Sequence, residues 1–579
     1  MNRFFVFLLL CIGLAPAQDN DVILRAMHDE LEHSRMLRVT GSDAPYFFEY
    51  RVTDARDLTI TATLGGILAE GTAPLRLAEV NVRAGDYNFD NTNYVFSEYY
   101  SGTRYDTGQL PLDDDYWAIR QSLWLATDRA YKTAIEAIGH KHSALQNVNV
   151  ADPFPDFTKA PPLESIEPRQ SLALDEALWS KRVVAWSKLF AAYPALLASG
   201  VEFQAVPATS YLVNSEGTTI RKPDSVAFIR LRAFAQAPDG MLLRDAEVFH
   251  AIDAAGLPSD AVVRAAIARL AERVTALSHA PTGTEYIGPV LFEPQAAAQL
   301  FAQLVGDNLK VTRKPVAQPG RPVSYLPSEF ENRTGSRILP EWIDVTDDPA
   351  LNHFGHFTTD DEGVQAQRLP LIEKGILKNF LLTRTPVSKD LKQSNGRARL
   401  HGNFGAMAPG FGNLVVSASQ TVSTADLKAR LIKLVTQREK PYGILVRKLD
   451  FPSSASYEEL RQFTTAMAQS GGGARPSSLP LLVYRVYPDG HEELVRGVRF
   501  RGLSTRSLRD IIAASSDSQA FDFLDSTAPF ALMGAGSYIT NATVVAPGLL
   551  IDELELEPSQ EELPKLPLVP PPPPTEPRR

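Results

Sequence analysis

Apolar residues recur at helical spacing in five stretches of the chain, and between them apolar and polar residues alternate in runs bounded by turn formers. Residues 21–38 carry Val22, Ile23, Met27, Leu31 and Met36 or Leu37 near helical spacing, so a first amphipathic helix is expected there. Residues 116–145 repeat the period with Trp117, Leu123, Trp124, Ala130, Tyr131 and Ile135. Residues 172–197, a helix opened by Pro258, Ser259 and Asp260 and running to about Leu277, and residues 424–437 complete the set. Strands are expected at Tyr46–Asp54, at Thr59–Ala69 with Gly65 and Gly66 inside, and at Ala78–Ala84. A hairpin-like pair, Val201–Leu212 and Ser225–Phe234, flanks the turn Asn214, Ser215, Glu216 and Gly217.

From these elements we expect an α+β protein: helix and antiparallel-sheet domains first, then a large, mainly β C-terminal domain. The boundaries fall at 18–150 for the N-terminal domain and 171–284 for a middle one. Residues 151–170, rich in Pro, Asp and Phe without a period, read as a linker over the surface. The C-terminal domain covers 285–557, mostly short strands. Residues 558–579 end in Pro570–Pro574, favour an extended polyproline conformation and are expected to be disordered.

The first seventeen residues change the picture of where the protein works. One Arg precedes an apolar stretch that closes in Ala15, Pro16 and Ala17, the small residues a signal peptidase cleaves after. Export to the periplasm or the extracellular space is the expectation. A lipoprotein reading through Cys11 is the lesser alternative, because Leu10 stands where a small residue is wanted. No stretch is long enough to span a bilayer, which takes about 20 apolar residues. Cys11 is the single cysteine, so the processed chain would hold no disulfide, thiolate ligand or cysteine nucleophile. The formal charge of −10 and the absence of a basic cluster argue against nucleic acid as a partner.

Three blocks in the C-terminal stretch carry a resemblance. Thr359, Asp360, Asp361, Glu362 and Gly363 precede Leu371–Lys378, which reads LIEKGILK; Ser394, Asn395, Gly396 and Arg397 follow; Val544–Pro547 with Leu549–Leu556 close the series. Together with the Asn214–Gly217 turn, and in this order, they resemble the TldD/PmbA family, peptidase family U62. Read without the resemblance, Lys374-Gly375 is a turn between two apolar strands. Three adjacent acids are ordinarily a solvated turn, since burying one unpaired is costly. The resemblance makes Asp360, Asp361, Glu362, Asn395, Gly396 and Arg397 candidates to line a substrate groove.

The resemblance also implies a metal site. Active members of the family, the TldD type, hold zinc on an HExxxH helix and a later Cys, and the Glu acts on the attacking water. Zinc with an open position brings bound water near pKa 7, where a carboxylate can take its proton. The matching segment here is Phe292, Glu293, Pro294, Gln295, Ala296 and Ala297. Only Glu293 fits; Phe292 and Ala297 have no lone pair to offer. The PmbA (TldE) branch is similar in lacking these ligands and pairs with a TldD-type subunit to enclose a proteolytic chamber.

The expectation that follows is a zinc-less subunit, with no cofactor of its own and zinc in the partner, acting on unfolded peptides; a homodimer is the alternative assembly. A weak alternative metal site at His353 and His356, with Asp361, would make the chain an autonomous metallopeptidase. His28 and His33, five residues apart, diverge by about 140° on a helix and are no zinc pair. A third reading is an extracytoplasmic protein that binds peptides without cutting them. No G-x-S-x-G elbow or phosphate loop is present, and Gly471–Gly473 read as a flexible loop.

Overall fold

The computed structural model describes residues 21–38, 41, 43–95, 106–146, 154–317, 325, 327–401, 407–454, 478–526, 539–559, 563–569 and 572. Residues 1–17, expected to be a signal peptide, the Gly471–Gly473 run and Pro570, Pro571, Pro573 and Pro574 of the tail lie outside them.

Helix α1 (Val22–Ser34) starts where Asp21 accepts hydrogen bonds from the backbone N–H groups of Ile23 and Leu24, satisfying two free donors of the first turn. Strands β1 (Pro45–Thr63) and β2 (Gly66–Ala84) form one long hairpin. Its two-residue turn places Leu64 and Gly65 at φ of 48° and 89°, the mirror-image turn whose twist suits a hairpin. The expected break after Asp54 is absent, and Ile67–Ala69 belong to the returning strand. The reason is tertiary: Arg56 is held by Glu176 at 2.5 Å and Asp57 accepts from Gln204 at 2.9 Å, so the polar pair stays in the strand. Strands β3 (Tyr94–Val95) and β4 (Asp106–Gln109) follow, then α2 (Tyr116–Leu145), with the bounds the periodicity predicts.

The remaining elements of this half are β5 (Glu164–Ile166), α3 (Glu176–Lys188), β6 (Ala198–Val206), β7 (Ala208–Asn214), β8 (Thr219–Pro223), β9 (Val226–Gln236), β10 (Leu242–Ala251) and α4 (Asp260–His279). Pro207 splits the single strand expected at Val201–Leu212 in two, and the Asn214–Gly217 turn joins β7 to β8. Strand order is β10-β9-β6-β1-β7-β8-β5, with β2 paired to β1 and β4 to β2. Stretches 18–150 and 171–284 therefore contribute strands to one nine-stranded sheet. Helices α1 and α2 cover one part of it and α3 and α4 another, each over its own apolar cluster.

The stretch read as a surface linker is partly internal. β5 pairs in parallel with β8, and Asp156 is buried with its carboxylate 2.5 Å from the ammonium of Lys141. That ammonium also donates to the carbonyls of Asp90 and Thr92 at 2.9 and 2.8 Å, which completes its shell. An ion pair between distant stretches leaves no trace in periodicity.

The C-terminal half consists of β11 (Tyr286–Phe292), α5 (Pro294–Phe301), α6 (Asp307–Leu309), β12 (Val316–Ala317), β13 (Ile343–Asp347), β14 (Leu369–Glu373), β15 (Ile376–Leu377), β16 (Ala398–His401), β17 (Met407–Pro409), β18 (Asn413–Ala418), α7 (Thr424–Gln437), β19 (Gly443–Leu449), β20 (Pro480–Val486), β21 (Glu492–Val495), β22 (Val498–Arg501), β23 (Ile511–Ser526) and β24 (Ile539–Pro558). The mainly β expectation is met. The expectation of short strands fails for β23 and β24, 16 and 20 residues long. β24 is the spine of an eleven-stranded sheet, pairing with β11, β22 and β23 antiparallel and β18 parallel. Helix α5 packs on one side of the spine in the larger core, and α7 packs with Leu291, Leu445 and Leu550 in a second.

The tail expected to be disordered is anchored where it starts, with Pro558 paired to Val498 and the Ser559 N–H donating to the Gly497 carbonyl at 2.8 Å, and again where the carbonyl of Pro564 accepts from Gln236 Nε2 at 3.2 Å beside Gly240. Leu568 and Val569 are exposed. No helix among the described residues is long and apolar enough to cross a membrane.

Leu549 is buried on β24 between Phe292 of β11 and Ala514 of β23. Leu549→Ala is expected to cost about 3 kcal/mol, the range for a large-to-small change in a filled core, read as a lower denaturant midpoint.

Candidate functional site

Strand β11 runs between β24 and β19 in the C-terminal sheet and delivers the chain directly into α5. Phe292, its last residue, and Ala297, in the first turns of α5, are both 0% exposed. The Phe292 ring lies 5.9 Å from that of Phe500. Gln299 clamps the helix to β19, donating to the carbonyls of Leu449 and Phe451 and accepting from the N–H of Leu449. The two positions that would present imidazoles in a zinc-bearing relative thus carry a phenyl and a methyl group packed into the core. Residues at this helix do not fit a zinc ion.

Glu293 occupies the N-cap position of α5, but its side chain makes no capping hydrogen bond. Instead Arg447 Nε donates to it at 2.8 Å, and the other side of that guanidinium binds Glu492 at 2.7 Å.

Beside Glu293 lies a cavity of about 580 Å³, within the span of small-ligand sites. One wall is the face of β9 and β10 with Phe228, Arg230 and His250; the other comes from α5, β19 and the Gln519–Asp522 part of β23. The two halves are bolted together at its rim. Asp245 is buried against Lys448 at 2.5 Å and Arg273 at 2.8 Å, and these cations hold its carboxyl below the ordinary range despite burial. Burial, with Arg230 adding to it, pushes His250 down to about 3, so its imidazole is neutral at neutral pH. Burial, partly offset by Glu202, brings Arg230 down to about 10, still a cation at neutral pH. Asp522 is raised by burial, against a hydrogen bond from Thr543 Oγ1 at 2.7 Å.

The six residues proposed to line a groove come together elsewhere, and most of them are buried. Asp360 Oδ1 accepts from the N–H groups of Glu362 and Val364, and Oδ2 from Ala398, so the acid closes its own turn from inside the protein. Glu362 Oε2 accepts from the N–H of Arg384 at 2.6 Å. Asp361 is half-buried, with Lys222 of β8 at 3.5 Å. Asn395 donates to Phe380 and accepts from Leu382; Gly396 sits at φ 73° where a Cβ would lie 2.7 Å from the Gln365 carbonyl. Arg397 Nε is 2.5 Å from Asp347, both 0% exposed, and its Nη2 donates to the Gln367 carbonyl. Asp360, Glu362 and Arg397 are thus an internal brace and not a solvated turn, because backbone N–H groups and a carboxylate supply what water would, while Asp361 and Asn395 stay half-buried.

Next to the brace, Arg384 reaches into the other half. Its guanidinium donates to the Thr158 carbonyl at 2.9 and 2.7 Å and to Glu216 of the Asn214–Gly217 turn at 2.8 Å. Gly363 (φ 76°) lies so close to Thr218 that a Cβ would stand 2.8 Å from its Cγ2. The resembling motifs therefore meet one another across the interface.

His353 and His356 do not converge with Asp361. His356 Nδ1 lies 2.7 Å from the carbonyl of Pro349, and Asp361 is turned to Lys222. Among the described residues no group of three or more His, Cys, Asp or Glu is disposed to hold a metal ion. His28 and His33 contact Thr219 and Glu30 separately. His250, Arg230 and Arg447 escape a reading of the sequence. The available signal was weak: cations inside the otherwise apolar strands Val226–Gln236 and Gly443–Leu449.

Residues 284–449 match the family model described as the PmbA/TldA metallopeptidase C-terminal domain. A "Metalloprotease" of Archaeoglobus fulgidus is 39% identical over 73 residues, 13% of this chain and 17% of the relative. "Metalloprotease PmbA" of Escherichia coli O157:H7 is 32% identical over 111 residues, 19% and 22% of the two chains. These alignments span about a fifth of the curated relatives' length. The crystal structure of TldE from Thermococcus kodakarensis superposes with a TM-score of 0.58 at 15% identity, covering 92% of this chain and 99% of that one. Its likeness is one of fold.

Burial, and then neighbouring Asp360, raise Glu362 to about 7, with Arg384 opposing. Protonated Glu362 therefore favours the folded state, and this contribution is lost as pH rises from its ordinary 4.5 through about 7. His250 shifts stability the opposite way below its ordinary 6.5, so the variant must be compared with wild type at each pH. Glu362→Gln is expected to match wild type near pH 5 and exceed it by about 2 kcal/mol near pH 8, measured by thermal unfolding.

Proposed function

The chain belongs to the TldD/PmbA family, and on that premise we propose that it is a non-hydrolytic subunit that contributes a peptide-holding surface to a zinc-bearing, TldD-like partner. The observation that carries this reading is the pairing of a cavity with a helix start that offers no imidazole at either expected position. Phe292 and Ala297 are packed into the core, and Glu293 is occupied by Arg447. No step of hydrolysis is routed through this chain. Its own groups hold and orient: hydrophobic rings and fixed cations in the cavity bind an extended chain, and closure by the partner would exclude water.

The leader at 1–17 supports an exported version of this assembly, periplasmic or extracellular, acting on unfolded peptides. A homodimer is the alternative assembly, and a stand-alone peptide-binding protein draws on the same cavity.

Purified without a partner, the processed chain is expected to bind no stoichiometric zinc by metal analysis and to leave casein-like peptides uncut. Co-expression with a zinc-bearing family member carrying a leader is expected to yield a co-purifying complex that cuts them. Zinc at one equivalent in the isolated chain, together with peptide cleavage, overturns the reading.

A further inference from the structure

The β23 wall of the cavity carries a carboxyl group that the sheet holds by one oxygen only. Alternate residues of a strand share a face, so Ala520, Asp522 and Leu524 look the same way. Leu524 packs with Phe228 and Phe354, and Ala520 and Asp522 line the cavity beside it. Opposite Asp522 on β24 stands Thr543, whose hydroxyl donates to Oδ1 at 2.7 Å while accepting from the Gly355 N–H at 3.1 Å. That relay fixes the carboxyl in place. Oδ2 is left facing the cavity, with no donor among the described residues.

The other carboxyls of the wall are held by cations. Glu247 meets Arg273 at 3.1 Å and Arg269 at 3.3 Å, and Glu293 meets Arg447 at 2.8 Å. Lys448 is committed to Asp245, which Arg273 also holds. Asp522 differs: among the described residues exposed His353 is the sole ionisable group whose charge bears on it. Burial outweighs that influence and keeps the Asp522 carboxyl above its ordinary range, as befits an acid short of a counter-ion. A carboxylate drawn out of bulk water without a partner is costly, so a cation arriving with a ligand supplies what the wall lacks.

The surroundings select the form of that cation. Phe228, Phe451 and Phe521 line the same space. Phenyl rings cover the aliphatic stem of a long basic side chain and attract the charge at its end. A bare metal ion is a poor fit, because no group of three or more His, Cys, Asp or Glu converges among the described residues.

We propose that Asp522 is a specificity subsite for a Lys or Arg side chain of a peptide held in the cavity, its carboxylate pairing with the cation while the neighbouring phenyl rings cover the stem. This rests on the peptide-holding role proposed above and names the residue class that the cavity selects.

The test uses the full processed chain and isothermal titration calorimetry with acetyl-Ala-Lys-Ala-Phe-amide, the same peptide with norleucine in place of Lys, and that norleucine peptide with a free N-terminus. The Lys peptide is expected to bind about tenfold tighter than acetylated norleucine, the scale of one hydrogen bond between charged groups. Asp522→Asn keeps an acceptor for Thr543, removes the charge, and should abolish the difference by weakening the Lys peptide alone. Asp522→Ser, also neutral, makes the same comparison if the Asn variant fails to fold. Equal binding of the Lys and acetylated norleucine peptides by wild type, or a Lys preference that survives in a folded neutral variant, overturns the subsite and leaves the peptide-holding role standing. A gain confined to the free N-terminus overturns the assignment to a side chain. Binding of none of the peptides by folded protein overturns the peptide-holding role as well.

Discussion

The interaction on which the joining of the two halves depends is a buried guanidinium, engaged through Nε and Nη2 while its Nη1 makes no hydrogen bond. Arg384 is fully buried, with Phe157 and Phe47 at 4.2 and 5.2 Å from its charged carbon. It draws on the Thr158 carbonyl and Glu216 from the N-terminal half, while its own N–H is fixed by Glu362. An ion removed from water and left without these partners costs several kcal/mol, so the charge binds the two halves in one relative position. Asp245 repeats the device at the cavity, where Lys448 and Arg273 approach it from opposite halves.

Between these two fastenings the halves do not close completely. Among the described residues β10 and β23 approach without pairing, and the space between them lies beside the β11–α5 junction. That junction presents Phe292 and Ala297 to the core and lends Glu293 to Arg447, with the cavity beside it.

Local features were legible in the sequence because their causes are local. The Lys374-Gly375 turn sits at φ of 49° and 71°, as a tight hairpin between two apolar strands demands. Helices at 116–145 and 424–437 follow from period alone. The acidic run at Asp360–Glu362 was legible as a motif and illegible as a role. Three adjacent carboxylates imply solvent unless N–H groups from Val364, Ala398 and Arg384 replace it, and those partners arrive only with the fold.

What the sequence by itself determined is the α+β class, the family resemblance, and the lack of donors at Phe292 and Ala297, since donor chemistry belongs to a residue wherever it lies. What only the tertiary structure decided is that the motifs brace an interface and that the cavity lies elsewhere. Its walls come from residues 228–250, 293–299, 447–452 and 519–524, whose contact depends on long-range pairing and buried charge, terms that no stretch of sequence contains alone.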